Sequence, residues 1–167
     1  FGEKNLGIIA INAVFQNVDE ADLKTEIEKL TLESDMQIAY VHWGVEYESV
    51  HHADDEALAR LLIDLGIDTV VGHHPHVAQD IGIYKEKPIF YSLGNFIFDQ
   101  YFSVEVQQGF MVKITEDAEG LHYEILPVTS EHSKNQPRLM EGEQRTAFLA
   151  ELLGRNPDVA VRFEGAV

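Results

Sequence analysis

Short apolar runs alternate along this chain with stretches whose apolar residues recur every three or four positions. Leu6–Val14 is apolar and rich in isoleucine, which predicts a buried strand. Asp19 then stands as the N-cap of a helix running to about Leu30, with Leu23, Ile27 and Leu30 as its apolar stripe. Met36–His42 predicts the next strand and Trp43–Ala53 a polar loop. Asp54 or Asp55 opens a second helix, with Leu58, Leu61, Leu62 and Leu65 on one face and Gly66 at its end. Ile67–Val71 predicts a strand that runs straight into Gly72-His73-His74-Pro75-His76. Residues 36–71 thus form one βαβ unit, with parallel strands and a right-handed crossover.

Beyond this unit the period changes. Val77–Tyr84, Ile89–Leu93, Gly109–Thr115 and Leu121–Val128 predict strands. Lys85–Pro88 and Glu116–Gly120 are hairpin-like turns, so this half should be largely antiparallel. A loop rich in Ser, Asn and Pro fills about 129–142. Glu143–Leu153 predicts a last helix, apolar at Phe148, Leu149, Leu152 and Leu153 and closed by Gly154 and Pro157.

Charge narrows the function classes. Twelve Lys and Arg stand against 29 Asp and Glu, a net charge of −17. Such a surface repels phosphate backbones, so no nucleic-acid partner is expected. An anionic substrate would need a local cation, for which a metal is the obvious source. The chain has no cysteine, which excludes thiolate zinc sites, Fe–S clusters and cysteine nucleophiles. No P-loop, GxGxxG, GxSxG or HExxH motif occurs.

The histidines supply the candidate chemistry. His42 ends one predicted strand, and His73, His74 and His76 follow the carboxyl end of the next. Neighbouring parallel strands lie about 4.8 Å apart, so these imidazoles should meet at the sheet edge where α/β proteins bind ligands. Neutral imidazole is the commonest metal ligand and suits Zn, Fe, Ni or Cu. Pro75 should hold His74 extended and aim His74 and His76 differently, so not all of the cluster ligates. Glu46 is a general acid/base, an outer carboxylate or a solvated side chain. Asn95 orients a substrate oxygen or caps a turn, and Asp99 is undecided on the same connection. His51 and His52 line the mouth or are solvated, Trp43 reads as packing, and His122 and His132 are given no role.

His42-Trp43-Gly44-x-Glu46-Tyr47, Gly72-His73-His74-Pro75-His76-Val77 and Pro88-Ile89-Phe90-Tyr91-Ser92-Leu93-Gly94-Asn95-Phe96-x-Phe98-Asp99 stand in this order. Together they resemble the CapA family of capsule-synthesis and poly-γ-glutamate biosynthesis proteins, itself similar to calcineurin-like metallophosphoesterases. The resemblance covers about residues 6–128. It implies an α/β fold of the metallophosphoesterase type: a four-layer α/β/β/α sandwich, of which this chain is the carboxyl-terminal portion, with an antiparallel second half. Nothing before His42 matches the family's Gly-Asp and Asn-rich metal motifs. Residues 1–128 would then be the carboxyl-terminal part of the domain, and 129–167 a loop and amphipathic helix.

The implied site has His42, His74 and His76 on metal, Glu46 and His73 handling protons, and Asn95 binding substrate. His73 and His74 are alternatives as ligands. The implied cofactor is a divalent metal, Mn, Zn or Fe, dinuclear only together with the amino-terminal half. The implied reaction is hydrolysis of a phosphoester or amide on an anionic polymer or phosphoester substrate, in the cell envelope, by a membrane-associated full-length protein. This chain alone is expected to be inactive. The rivals are a non-catalytic scaffold or polymer-handling subunit, and a mononuclear His-zinc hydrolase. One strand of the Leu6–Val14 or Met36–Val41 region should be left as an unpaired apolar edge, inviting self-association or pairing with a preceding segment.

Overall fold

The computed structural model describes residues 4–15, 18–118, 120–132 and 134–155. Its elements are β1 (Leu6–Asn12), α1 (Glu20–Glu33), β2 (Met36–His42), α2 (Ala53–Asp64), β3 (Thr69–His73), β4 (Ile81–Tyr84), β5 (Lys87–Phe90), β6 (Gln108–Asp117), β7 (Gly120–Thr129), β8 (Arg138–Leu139) and α3 (Gly142–Gly154). They build a mixed α/β fold with two sheets. The first is five-stranded in the order β1-β2-β3-β5-β4, and the second runs β6-β7-β8. No helix among the described residues is long and apolar enough to cross a membrane.

Strand alternation sorts the core into two layers. Ala39, Val41, Val70 and Ile89 face α1 and α2, meeting Leu23, Ile27, Ala59, Leu62 and Ile63. Val71, Phe90 and Ile81 face the other way, onto Phe110, Ile125, and Phe148, Leu149 and Leu152 of α3. The second sheet and α3 cover this face over β3, β5 and β4. Ile38 of β2 still packs on this layer, but over β1 and Tyr40 the same face is open, with Leu6, Ile8 and Tyr40 at 42%, 60% and 48% exposure. Among the described residues β1 pairs only with β2, so its outer edge is free.

The βαβ expectation holds in register. β2 lies parallel to both β1 and β3, and His42 pairs with His73. Asp19 caps α1 by accepting from the Ala21 and Asp22 N–H groups. α2 starts earlier than expected, after His52, because Asp55 reaches back to accept the His52 N–H at 2.9 Å.

Several expectations are corrected. β3 begins at Thr69 rather than Ile67 and continues through His73. Val77–Asp80 is not strand: Ala78 makes one bridge to Leu93, and Gln79 and Asp80 bury their polar side chains. The turn after β4 is the pair Lys85-Glu86, both at positive φ (48° and 65°), so Lys87 and Pro88 join β5. β5 pairs antiparallel with β4 and parallel with β3, so the second half is largely antiparallel, as expected, and joins the βαβ unit through one parallel pair. Short β8 forms within the expected loop, and Gly154 lies inside α3. Pro157, expected to close that helix, lies outside the described residues.

Candidate metal centre at the sheet edge

The carboxyl ends of β2 and β3 open into two connections, the loop 43–52 and the turn 73–80. Trp43 anchors the first. It is fully buried, and its indole N–H donates to the Tyr91 carbonyl at 2.8 Å. This close approach requires glycine at position 72, where a Cβ would lie 2.0 Å from the Tyr91 oxygen and 2.3 Å from the Trp43 Nε1. The backbone N–H of Tyr47 donates to the Pro75 carbonyl at 2.8 Å, which ties the loop to the turn.

The turn is strained. His74 and His76 adopt φ of 103° and 64°, and Tyr47 opposite them 66°. Non-glycine residues on this side of the map cost on the order of 1–3 kcal/mol each and persist only where surrounding contacts hold them. Pro75 therefore does not keep His74 extended. The left-handed backbone instead turns His74 and His76 together. One ligand atom from each of Glu46, His74 and His76 lies within 4.8 Å of the other two. His76 Nε2 and Glu46 Oε1 are 3.8 Å apart.

Asn95 sets the chemistry of His76. Its amide nitrogen donates to the Val106 carbonyl at 3.0 Å and to Gln100 Oε1 at 3.2 Å. Its oxygen therefore faces His76 Nδ1, at 2.9 Å. The proton of a neutral His76 then sits on Nδ1, which leaves the Nε2 lone pair directed at the Glu46 side. A metal-ligating histidine needs this arrangement. Tyr47 and Phe98 pack on the same ring, with centroids 5.9 and 4.8 Å away.

The other expected residues separate. The His42 ring lies 4.6 Å from that of His74, but His42 stands beside the Glu46–His74–His76 group and not within it. His73 is on the sheet face, stacked on Tyr40 at 4.1 Å, with its Nε2 buried and without a hydrogen-bond partner among the described residues. Burial, followed by the neighbouring His42, pushes the His73 imidazole down to about 4, so it is neutral near pH 7. Burial is also the main influence lowering His74, with His42 and His76 adding to it against Glu46. Glu46 lies in the group as a ligand candidate. Asn95 touches His76, as a positioning residue. His122 is exposed and pairs with Asp117 at 2.9 Å.

Sequence reasoning gave no role to Tyr47, Gln79 or Asp80, and left His51 between lining the mouth and being solvated. His51 is stacked on Tyr91 at 3.7 Å with its Nδ1 2.7 Å from Asp80. The available signal was the polar pair Gln79-Asp80 inside the apolar run Val77–Ile83, which a strand facing two cores does not tolerate without partners.

Fold and site together define an α/β protein with a histidine–carboxylate group at the carboxyl edge of a parallel sheet. That donor set fits a divalent cation: two imidazoles, one with its tautomer set, and a carboxylate that balances charge. Residues 3–100 match the family of bacterial capsule synthesis proteins PGA_cap, and the chain belongs to that family. It is similar to the capsule biosynthesis protein CapA of Bacillus anthracis, with 51% identity over 67 residues, 40% of this chain and 16% of that protein. The PGA biosynthesis protein CapA of Bacillus subtilis is 48% identical over 67 residues, 40% of this chain and 18% of that protein. A probable polyglutamine synthesis accessory protein of Mycobacterium tuberculosis is 33% identical over 103 residues, 56% of this chain and 27% of that protein. The chain thus matches less than a third of the length of each of these relatives.

Proposed function

We propose that this chain carries part of the metal centre of a CapA-type hydrolase that acts in capsule and poly-γ-glutamate synthesis at the cell envelope, within a membrane-associated longer protein. The observation that carries the reading is the Glu46–His74–His76 group, with His76 held by Asn95 in the tautomer that ligation needs. Glu46, His74 and His76 would hold a divalent cation, Mn, Zn or Fe. A bound cation supplies Lewis-acid chemistry there, polarising a phosphoryl or acyl oxygen and raising the reactivity of water. His42, exposed beside His74, is placed to take or give a proton. His73 stays neutral on Tyr40 and sets the wall of the site. The substrate would be an anionic polymer or phosphoester. With a net charge of −17, the attraction for it must come from the cation.

A second reading, a non-catalytic scaffold in the same assembly, is favoured by the open face of Leu6, Ile8 and Tyr40. The two separate by experiment. The longer protein, loaded with Mn²⁺ or Zn²⁺, is assayed on a phosphodiester and on poly-γ-glutamate, beside its His76→Ala variant. Metal-dependent hydrolysis lost in His76→Ala supports the hydrolase. Stoichiometric metal with no turnover on either substrate supports the scaffold. One tightly held zinc with turnover in this chain alone would favour a mononuclear enzyme.

A further inference from the structure

Glu46 sits on a loop without regular structure, is half-exposed, and its carboxylate makes no hydrogen bond among the described residues. Something else must hold it at the site. The loop is gripped from below. Gln79, with no exposure, donates through its amide nitrogen to the Glu48 carbonyl at 2.9 Å and the Val50 carbonyl at 3.4 Å. Asp80, 2% exposed, accepts the His51 backbone N–H at 3.0 Å and meets the His51 ring Nδ1 at 2.7 Å. His51 is in turn flat on Tyr91, at an interplanar angle of 7°. Burying an amide and a carboxylate is costly, and the Gln79 oxygen has no partner among the described residues. The Gln79 amide nitrogen and the Asp80 carboxylate satisfy the carbonyls and N–H of a loop that has no ladder of its own.

We infer that Gln79, Asp80 and His51 form a clasp that positions the Glu46 carboxylate beside His74 and His76. The inference rests on the proposed cation site. Gln79 and Asp80 follow His76 by three and four residues in the chain. One rigid segment, 73–80, therefore carries both imidazoles and grips the loop that brings the carboxylate. Tyr47 N–H on the Pro75 carbonyl closes the same unit from the other side. The distance between the donor groups is then set before any cation arrives. Pre-organisation of this kind raises affinity, and loss of supporting contacts typically weakens metal binding about 10–100-fold.

The test is a calorimetric titration of the chain with Mn²⁺ alone, with Co²⁺ absorption as a second readout and circular dichroism to verify folding. His51→Phe keeps the stack on Tyr91 and removes the bond to Asp80. His51→Asn keeps a donor near the Nδ1 position and removes the ring. With the clasp as described, His51→Phe binds Mn²⁺ about tenfold more weakly and shifts the Co²⁺ spectrum as Glu46→Gln does. His51→Asn stays within about twofold of the parent. The double variant Glu46→Gln/His51→Phe binds no more weakly than Glu46→Gln, because the clasp acts only through that carboxylate. If His51→Phe does not fold, Gln79→Met carries the same test by removing the carbonyl contacts at similar length. Unchanged affinity in the folded clasp variant, losses that multiply in the double variant, or a His51→Asn as weak as His51→Phe would overturn the clasp. Parent-like affinity in His76→Ala would instead overturn the cation site, and the clasp with it.

Discussion

Asn95 gives its amide hydrogens to Gln100 and the Val106 carbonyl, so its oxygen is what His76 meets, and the imidazole has one usable lone pair left. A carboxamide 19 residues along the chain from His76 thereby decides which atom faces Glu46. Replacing it by Leu removes the acceptor and frees the tautomer. Asn95→Leu should weaken Mn²⁺ binding by about 10–100-fold in a calorimetric titration, with the fold intact. His76→Ala should abolish that binding, and His122→Ala, where the native β7 imidazole pairs with Asp117 of β6, should leave it unchanged. Equal affinity in the parent and His76→Ala would remove the cluster from consideration.

At the scale of elements, the end of β3 and the turn that follows it are shaped by close contacts that leave no slack. A methyl group at Gly72 would meet backbone at 2.0 Å, and backbone cannot rotate away as a side chain does. Gly72→Ala should therefore lower stability by about 3 kcal/mol in urea unfolding, at the upper end for overpacking. The Asp80 contact to the loop gives a pH signature. Burial raises the Asp80 carboxyl, but the bonds from His51 outweigh it and leave the group below its usual value. A carboxylate depressed in the folded state stabilises above its unfolded value near 3.8, and that contribution disappears as pH falls through the folded value. Asp80→Asn should thus be less stable than the parent at pH 7. The gap should narrow only below about pH 4, measured as the difference in urea midpoints. A gap that stays constant down to pH 3 would show that the ionised carboxylate is not what stabilises the loop.

For the molecule as a whole, the second sheet and α3 cover one side of the five-stranded sheet over β3, β5 and β4 and reach beyond it only to Ile38 of β2 and to Lys4 beside β1. Leu6, Ile8 and Tyr40 are left exposed next to the edge of β1 that pairs with no strand among the described residues. An exposed edge with apolar neighbours is a template for pairing. The isolated chain should self-associate at tens of micromolar concentration in sedimentation velocity. Ile8→Lys, which adds charge at the centre of the face, should return it to monomer. A parent chain that is monomeric at high concentration would mean that this face needs no cover.

The pattern of apolar positions determined β1, α1, β2, α2 and the parallel β2-β3 pair, because a βαβ unit leaves little freedom once its strands and helix are known; that β1 lies parallel on the other side of β2 is seen only in the structure. It also brought His42 and the His73–His76 run to one edge, since side chains at the ends of neighbouring parallel strands must lie close. Which of these side chains form the group was not legible there. That choice depends on the left-handed backbone at His74 and His76, and on a loop that returns Glu46 to them. Both are held by contacts from residues remote in sequence: Val106 through Asn95, Tyr91 through Trp43, and Asp80 through His51. Backbone strain and buried hydrogen bonds of this kind have no period along a chain. They exist only when the tertiary structure supplies their partners, which is why the sheet edge could be read from the sequence and the Glu46–His74–His76 group could not.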